Sequence, residues 1–415
     1  MKGFTIRIAL VFVLAFILVS CSTSSPTETL EPNLTRPTPR SLSIIASTST
    51  SKVGSVTFKN DEGVSTTYTA TESASWLTIV SGGTGTLAVN QTATLKLRGT
   101  CGATPNQRSA NVTITSSNDV ETVRVTLYCS AYNIQLVFNT GISNARKLVF
   151  RNAATRWSQL VVGDIANLPL NKAANACGAG EPAFNATVDD LVIYASVEPI
   201  DGPGNVLGSA GPCLIRNTGG LTVYGVMRFD SADVAGLEAG GTFDEVILHE
   251  MGHVLGIGSF WQFSPFFNLI NYAPTTQPCR NTTTFTTQPK FTGANAKSEY
   301  ATLGGSGNIP VENQYSAGTK CVHWDEETFD NELMTGFLGG SSSTAVPLSR
   351  MTVGSLADLG YQVNKTPANP YTIPSCSPAC LRSDPRSGIN LAEQEIILTP
   401  IGTVGLYGAI NLIKK

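Results

Sequence analysis

The chain has 415 residues, enough for two or three domains with cores of their own. Only 14% of them are charged, the net charge is −3 and no basic run occurs, which argues against a nucleic-acid partner. No internal repeat of fixed period is evident.

Lys2 and Arg7 give a positive start, and residues 8 to 19 form an apolar run. That run suits a secretory signal and is too short for a spanning helix of about 20 residues. The run ends in Leu18-Val19-Ser20-Cys21, which resembles a bacterial lipobox. The resemblance implies that residues 1–21 are a lipoprotein signal peptide and that Cys21 is the lipidated first residue of an exported, membrane-anchored chain. Ser22 at the next position, where an Asp is absent, implies outer-membrane or cell-surface delivery; plain cleavage and secretion is the alternative. Residues 22–41 are dense in Ser, Thr and Pro, the composition of a solvated tether.

Residues 42–131 carry short β-prone runs, among them 53–58, 76–80, 93–97, 112–114 and 123–127, separated by Gly, Asn and Ser turns. This pattern predicts an all-β sandwich of immunoglobulin-like kind. Ser75-Trp76-Leu77 followed by a Gly-rich turn resembles BACON-type domains of bacterial surface proteins. Glycan or protein binding, or spacing of a catalytic domain from the membrane, are the roles such a domain would take.

From residue 132 the pattern changes to α+β. An alternating strand at 134–138 precedes a helix with Ala153, Ala154 and Trp157 on its apolar stripe. Residues 191–195 are a continuous apolar run of strand length, and 221–229 form another β-rich stretch. Asp189, Asp190, Asp201, Asp230 and Asp233 fall on loops and strand ends in this half. Oxygen ligands of that type suit calcium, but no EF-hand spacing is present, and capping aspartates are the plainer reading.

The next helix carries the chemistry. Phe243, Val246, Ile247, Leu248, Met251, Val254 and Leu255 recur at helical spacing, so a helix is predicted from 243 to about 256. Thr242 and Glu245 have capping-box spacing, and Gly256 and Gly258 supply a stop. On this helix His249 and His253 stand at i and i+4, on one face, with Glu250 beside them. Two imidazoles facing one way can ligate a zinc ion, and a carboxylate beside them can take a proton from an attacking water. A catalytic zinc needs a third protein ligand. The metzincin pattern puts a histidine ten positions after the first, but that position is Ser259. No acidic residue occurs between His253 and Glu299. His323 is the one further histidine in the chain, and it precedes Glu332-Leu333-Met334-Thr335-Gly336.

The run from Val246 to Gly258, together with Val322-His323-Trp324, Asn331 to Gly336 and Ser349 to Tyr361, resembles the leishmanolysin family of metzincins. The resemblance covers 132–372. It implies zinc ligation by His249, His253 and His323, with residues 254–322 as a long insertion before the third ligand. It further implies Glu250 as general base and Met334 as the Met-turn residue, in a zincin (metzincin) catalytic domain binding one zinc ion. In metzincins an edge strand ahead of the zinc helix pairs with an extended peptide, a role that would fall on 221–229 and fit a peptide substrate, with a plain core strand as the equal alternative.

Nine cysteines become eight once Cys21 is lipidated, an even set that suggests disulfides in an exported chain. Their order invites local pairing of Cys101 with Cys129, Cys177 with Cys213, Cys279 with Cys321, and Cys376 with Cys380. No C-x-x-C pair supports zinc ligation by thiolates. The extension 373–415 is apolar enough to pack, as a hairpin, without a functional reading. The sequence thus points to an exported, lipid-anchored zinc metalloendopeptidase. A cell-surface adhesion or binding protein with a non-catalytic zinc domain is the alternative, and a zinc hydrolase acting on a non-peptide bond is a third reading.

Overall fold

Between Thr92 and Thr100 exposed and buried side chains alternate without a break, the period of a strand that lays one face on a core. The structure, a computed structural model, describes residues 34–61, 64–104, 106–117, 119–316, 318–338, 346–374 and 389–413. The expected signal peptide, Cys21 and the Cys376–Cys380 pair lie outside the described residues.

Eight strands form the first unit: β1 (Ser41–Ser47), β2 (Ser51–Lys59), β3 (Thr66–Glu72), β4 (Leu77–Ser81), β5 (Thr84–Leu87), β6 (Thr92–Thr100), β7 (Asn106–Ser116) and β8 (Val120–Ser130). They make two sheets, in the orders β1-β8-β7-β3-β5 and β2-β6-β4. Ile44, Val112, Val125 and Leu127 of one and Val56, Leu95 and Leu97 of the other share a single core. The Cys101–Cys129 disulfide ties the end of β6 to β8 and so joins the sheets. The sandwich starts earlier than residue 42. Leu34 is buried and bridges Asn60, and Thr38 bridges Thr57, so residues 34–41 pack on the domain and are not free tether.

The second unit opens with β9 (Ile134–Phe138), α1 (Asn144–Leu160), β10 (Leu168–Lys172), β11 (Phe184–Val188), β12 (Leu191–Glu198), β13 (Gly208–Arg216), β14 (Thr222–Asp230), α2 (Ser231–Gly240) and α3 (Phe243–Leu255). β9, β12 and β14 run parallel, and β13 is antiparallel to β14. β12 is a continuous apolar run because both its faces are covered. Leu191, Ile193 and Ala195 pack with the helices, while Val192 and Tyr194 pack with Leu168, Leu170 and Val188 of the β10-β11 hairpin.

The expected insertion is folded: β15 (Ile270–Ala273), β16 (Thr287–Phe291), α4 (Ala294–Thr302) and β17 (Ile309–Pro310) include a three-stranded sheet of their own. After it come α5 (Glu326–Phe329), β18 (Phe337–Leu338) and α6 (Arg350–Asp358), and then β19 (Ile389–Asn390), α7 (Leu391–Gln394), β20 (Glu395–Ile397), β21 (Gly402–Val404) and β22 (Ile410–Leu412).

Two expectations need correction here. The stretch 221–229, open between a substrate-pairing edge and a core strand, is β14, a core strand between β13 and β12, and not an edge. The C-terminal extension does contain a hairpin, β21 with β22, but it is built into the main sheet, because β20 and β21 both pair parallel with β13. β13 is the strand that faces the site, and the chain's own C-terminal residues lie along its outer side.

α3 rests on β14 at a separation that needs glycine: a Cβ on Gly225 would stand 2.3 Å from Val254 Cγ1. Gly225→Val should therefore destabilise the fold by about 1–3 kcal/mol through overpacking, read as a lower denaturant midpoint. Gly236→Ala on α2, where a Cβ meets open space, should hold or raise that midpoint.

Candidate metal centre

α3 spans Phe243–Leu255, as its apolar spacing requires, but it starts without the capping box. Thr242 makes no side-chain cap bond, and Glu245 Oε1 instead accepts from Val346 N at 3.1 Å. At the other end Gly256, at φ 115°, closes the helix, with the N–H groups of Gly256 and Ile257 donating to the carbonyls of His253 and Gly252. Thr222 Oγ1 and Tyr361 Oη donate to the last carbonyls, Val254 O and Leu255 O, at 2.7 and 3.0 Å. The helix that bears His249 and His253 is thus fixed along its length.

The third histidine reaches the same point by a longer route. Gly258, at φ 71°, lets the chain pass so close to Val322 O that a Cβ there would fall 1.9 Å from it. The Cys279–Cys321 disulfide pins the chain two residues before His323. Trp324 N then donates to Met334 O at 2.9 Å, and Trp324 Nε1 to Thr352 Oγ1 at 2.8 Å. All three imidazoles are fully buried.

Their Nε2 atoms converge: His249 to His253 is 2.9 Å, His253 to His323 is 3.0 Å and His249 to His323 is 3.1 Å. Each Nδ1 meets a backbone carbonyl, which can only accept. His249 pairs with Leu333 O at 2.5 Å, His253 with Ile257 O at 2.9 Å and His323 with Thr319 O at 3.1 Å. Each ring therefore carries its proton on Nδ1 and turns a bare Nε2 lone pair inward. Burial and the two neighbouring imidazoles hold the pKa of His253 well below the usual histidine range. Three buried lone pairs facing one point repel one another, and a cation is what satisfies them; zinc takes neutral imidazoles in this way.

Glu250 is fully buried beside them, and neither of its oxygens has a hydrogen-bond partner among the described residues. Burial and then the Glu395 carboxylate push its pKa well above the carboxylate range. Glu395 is the residue the sequence did not single out. Its Oε1 lies 2.9 Å from His323 Nε2, and its Oε2 lies 3.5 and 3.8 Å from the Nε2 atoms of His249 and His253. Burial acts to raise the Glu395 pKa and the adjoining His323 and His249 to lower it, and the net direction is downward. His249, His253, His323 and Glu395 form a set whose ligand atoms all lie within 4.8 Å of one another. Glu395, one of two acids, with Glu393, between Leu391 and the run 396–398 of the weakly patterned tail, carries no motif; only the pairing of β20 with β13 brings it here.

Met334 lies under α3, where a Cβ on Gly252 would meet its Sδ at 2.9 Å. The turn holding it is organised by Glu332, fully buried, which accepts from Met334 N at 2.7 Å, Ser349 N at 3.0 Å and Thr352 Oγ1 at 2.5 Å. Burial raises the pKa of Glu332, against the lowering from these donors.

The five aspartates raised as calcium candidates are acceptors for N–H groups. Asp230 caps α2 through Ala232 N at 2.8 Å and also takes the N–H groups of Ile200, Asp201 and Gly202. Asp233 accepts from Gly204 N, Asp201 from Val206 N, and Asp189 from Asn133 Nδ2. Asp190, which burial raises to about 7, accepts from Asn133 N and Ile165 N at 2.7 Å each. Asp201, Asp230 and Asp233 lie apart from the group formed by Asp164, Asp189 and Asp190. Three of the four expected disulfides are present, Cys101–Cys129, Cys177–Cys213 and Cys279–Cys321.

Residues 175–375 match the family model described as leishmanolysin, and residues 35–130 match that of a viral BACON domain. No curated protein matches the chain. Among solved structures, one similarity is to a protein of unknown function from Porphyromonas gingivalis W83, at 11% identity and TM-score 0.19. It covers 24% of this chain and 46% of that one, so the chain spans under half of that protein. Others are the PapD-like domain 7 of human CEP192 (10% identity, 29% and 97% covered, TM-score 0.19) and the VesB protease of Vibrio cholerae (16% identity, 25% and 32% covered, TM-score 0.17). Similarities this slight carry no argument.

Two substitutions test the scaffold. Glu332→Ala leaves three buried donors without an acceptor and should cost on the order of 3 kcal/mol, with weaker zinc binding in a competition titration. Replacing Cys279 and Cys321 together by Ala opens a loop of 42 residues, for which chain entropy gives about 4 kcal/mol. Zinc should then dissociate faster, because the segment before His323 is no longer pinned.

Proposed function

From a chain that is leishmanolysin-like over residues 175–375 and carries a BACON-like domain ahead of it, we propose an exported zinc endopeptidase of the metzincin class. The observation that carries the reading is the convergence of three Nε2 lone pairs, each ring's other nitrogen fixed on a backbone carbonyl. His249, His253 and His323 would hold the zinc. When bound, zinc supplies Lewis-acid polarisation of the scissile carbonyl and lowers the pKa of an attacking water to about 7. Glu250, next to His249 and without a hydrogen-bond partner among the described residues, would accept a proton from an attacking water and pass it to the leaving amine. Burial and the Glu395 carboxylate raise its pKa, which favours proton uptake. β13, antiparallel to β14, would offer an extended peptide the main-chain groups that β20 and β21 now pair with.

The N-terminal residues support export with a lipid anchor on Cys21 and delivery to the outer membrane or cell surface. On this reading the sandwich, of immunoglobulin-like kind, spaces the catalytic domain from the membrane. The second reading, a surface binding protein whose zinc domain is non-catalytic, draws on one observation: Glu395 adds a fourth donor to the centre. Four protein ligands are the pattern of a structural zinc.

Elemental analysis and a mixed peptide library decide the matter. The wild type should hold one zinc, His323→Ala should lose it, and Glu250→Gln should keep it while hydrolysis falls by about 10²–10⁴-fold. Zinc retained by His323→Ala, or hydrolysis unchanged in Glu250→Gln, would reassign the site.

A further inference from the structure

Residues 391–398 lie across the metal centre and are held on both sides. On one side Leu207 N donates to Gln394 O and Leu398 N to Ala210 O, each at 2.8 Å, along β13. On the other, Ser316 Oγ and Thr319 Oγ1 both donate to Ala392 O, at 2.8 and 2.6 Å, and Ala392 N donates to Gly336 O at 2.9 Å. The strap thus joins β13 to the wall that carries His323 and the methionine turn. Glu395 pairs with Gly208 in the register of β20 on β13, and from there its side chain, wholly buried, enters the group of three imidazoles.

We infer that residues 391–398 stand in the place of a substrate and that Glu395 is a fourth protein ligand of the metal, so that the chain carries its own displaceable occupant of the cleft. The inference rests on the zinc reading above. Main-chain pairing to β13 is what an extended peptide would use, and here the chain itself uses it. A catalytic zinc keeps one position for water, whereas four protein donors close the coordination. With Glu395 bound, the centre has no place for the attacking water, and Glu250 faces a carboxylate where it would need a proton donor. The attachment suits displacement: β20 is three residues long, α7 is four, and Ile396 is 48% exposed. Withdrawal of the strap frees a coordination position and the Gly208–Ala210 end of β13 in one movement, while β21 stays paired at Leu214–Arg216.

The test uses the full chain loaded with Co²⁺, whose visible absorption reports coordination, and acetohydroxamate as a small probe of an open metal position. Glu395→Ala removes the ligand. Leu398→Pro keeps Glu395 but deletes the N–H that bonds Ala210 O. Expected are a wild-type spectrum that acetohydroxamate leaves unchanged, and variant spectra that shift both on substitution and on adding the probe. Probe affinity and peptide-library hydrolysis should each rise at least tenfold in both variants, while metal affinity falls in Glu395→Ala. Equal probe binding and identical spectra in wild type and Glu395→Ala, with one metal per chain in each, would overturn the inference and leave the zinc reading intact. Failure of the wild type to take up one metal ion would overturn both. Circular dichroism matching the wild type establishes that each variant is folded.

Discussion

Three imidazole lone pairs held face to face in a buried space are the constraint on which the rest of the second unit depends. No arrangement of hydrogen bonds among His249, His253 and His323 satisfies them, because each ring has already given its proton to a main-chain carbonyl. The carbonyls come from three places, Leu333 beside the methionine turn, Ile257 after the helix and Thr319 in the segment before His323. The tautomers are therefore set by backbone that is itself fixed by the fold, and the convergent lone pairs are arranged as a cation would need them.

The surrounding architecture can be read as the means of keeping that convergence. The helix is held flat on β14 by the missing side chain at Gly225 and anchored at its end by Thr222 and Tyr361. The segment bearing His323 is brought back across a folded insertion and fastened by a disulfide. Glu332 gathers the N–H groups of Met334 and Ser349 and the Thr352 hydroxyl, so the floor under the helix and the start of α6 share one buried acid. Here burial opposes ionisation while three donors favour it, so the same residue both fastens the turn and depends on it.

The carboxylates of the chain divide by what faces them. Asp230, Asp233 and Asp190 face main-chain N–H groups and act as caps and loop anchors. Glu250 and Glu395 face the imidazoles and each other, where no N–H group of the described residues donates to them. Charge that caps can stabilise locally requires, in the second case, a cation. The occupied outer side of β13 belongs to the same picture, since the strand that positions Glu395 is also the one that satisfies the exposed main-chain groups of the sheet edge.

The sequence by itself determined the local parts. Helical spacing placed α3 and put His249, His253 and Glu250 on it; alternation marked most strands of the sandwich; cysteine order gave the three disulfides. Each of these rests on contacts a few residues apart or on a pattern of fixed period. His323 was legible because histidine is so scarce in this chain. The tertiary structure decided what depends on long-range pairing. It put 222–230 inside the sheet and β13 at the site, drew residues 34–41 onto the sandwich, replaced the Thr242 capping box with a Glu245 contact to Val346, and carried Glu395 from the tail into the centre. Strand pairing has no local signature for its partner, since any extended segment offers the same N–H and C=O groups. Which segment lies beside which is settled only when the whole core is packed.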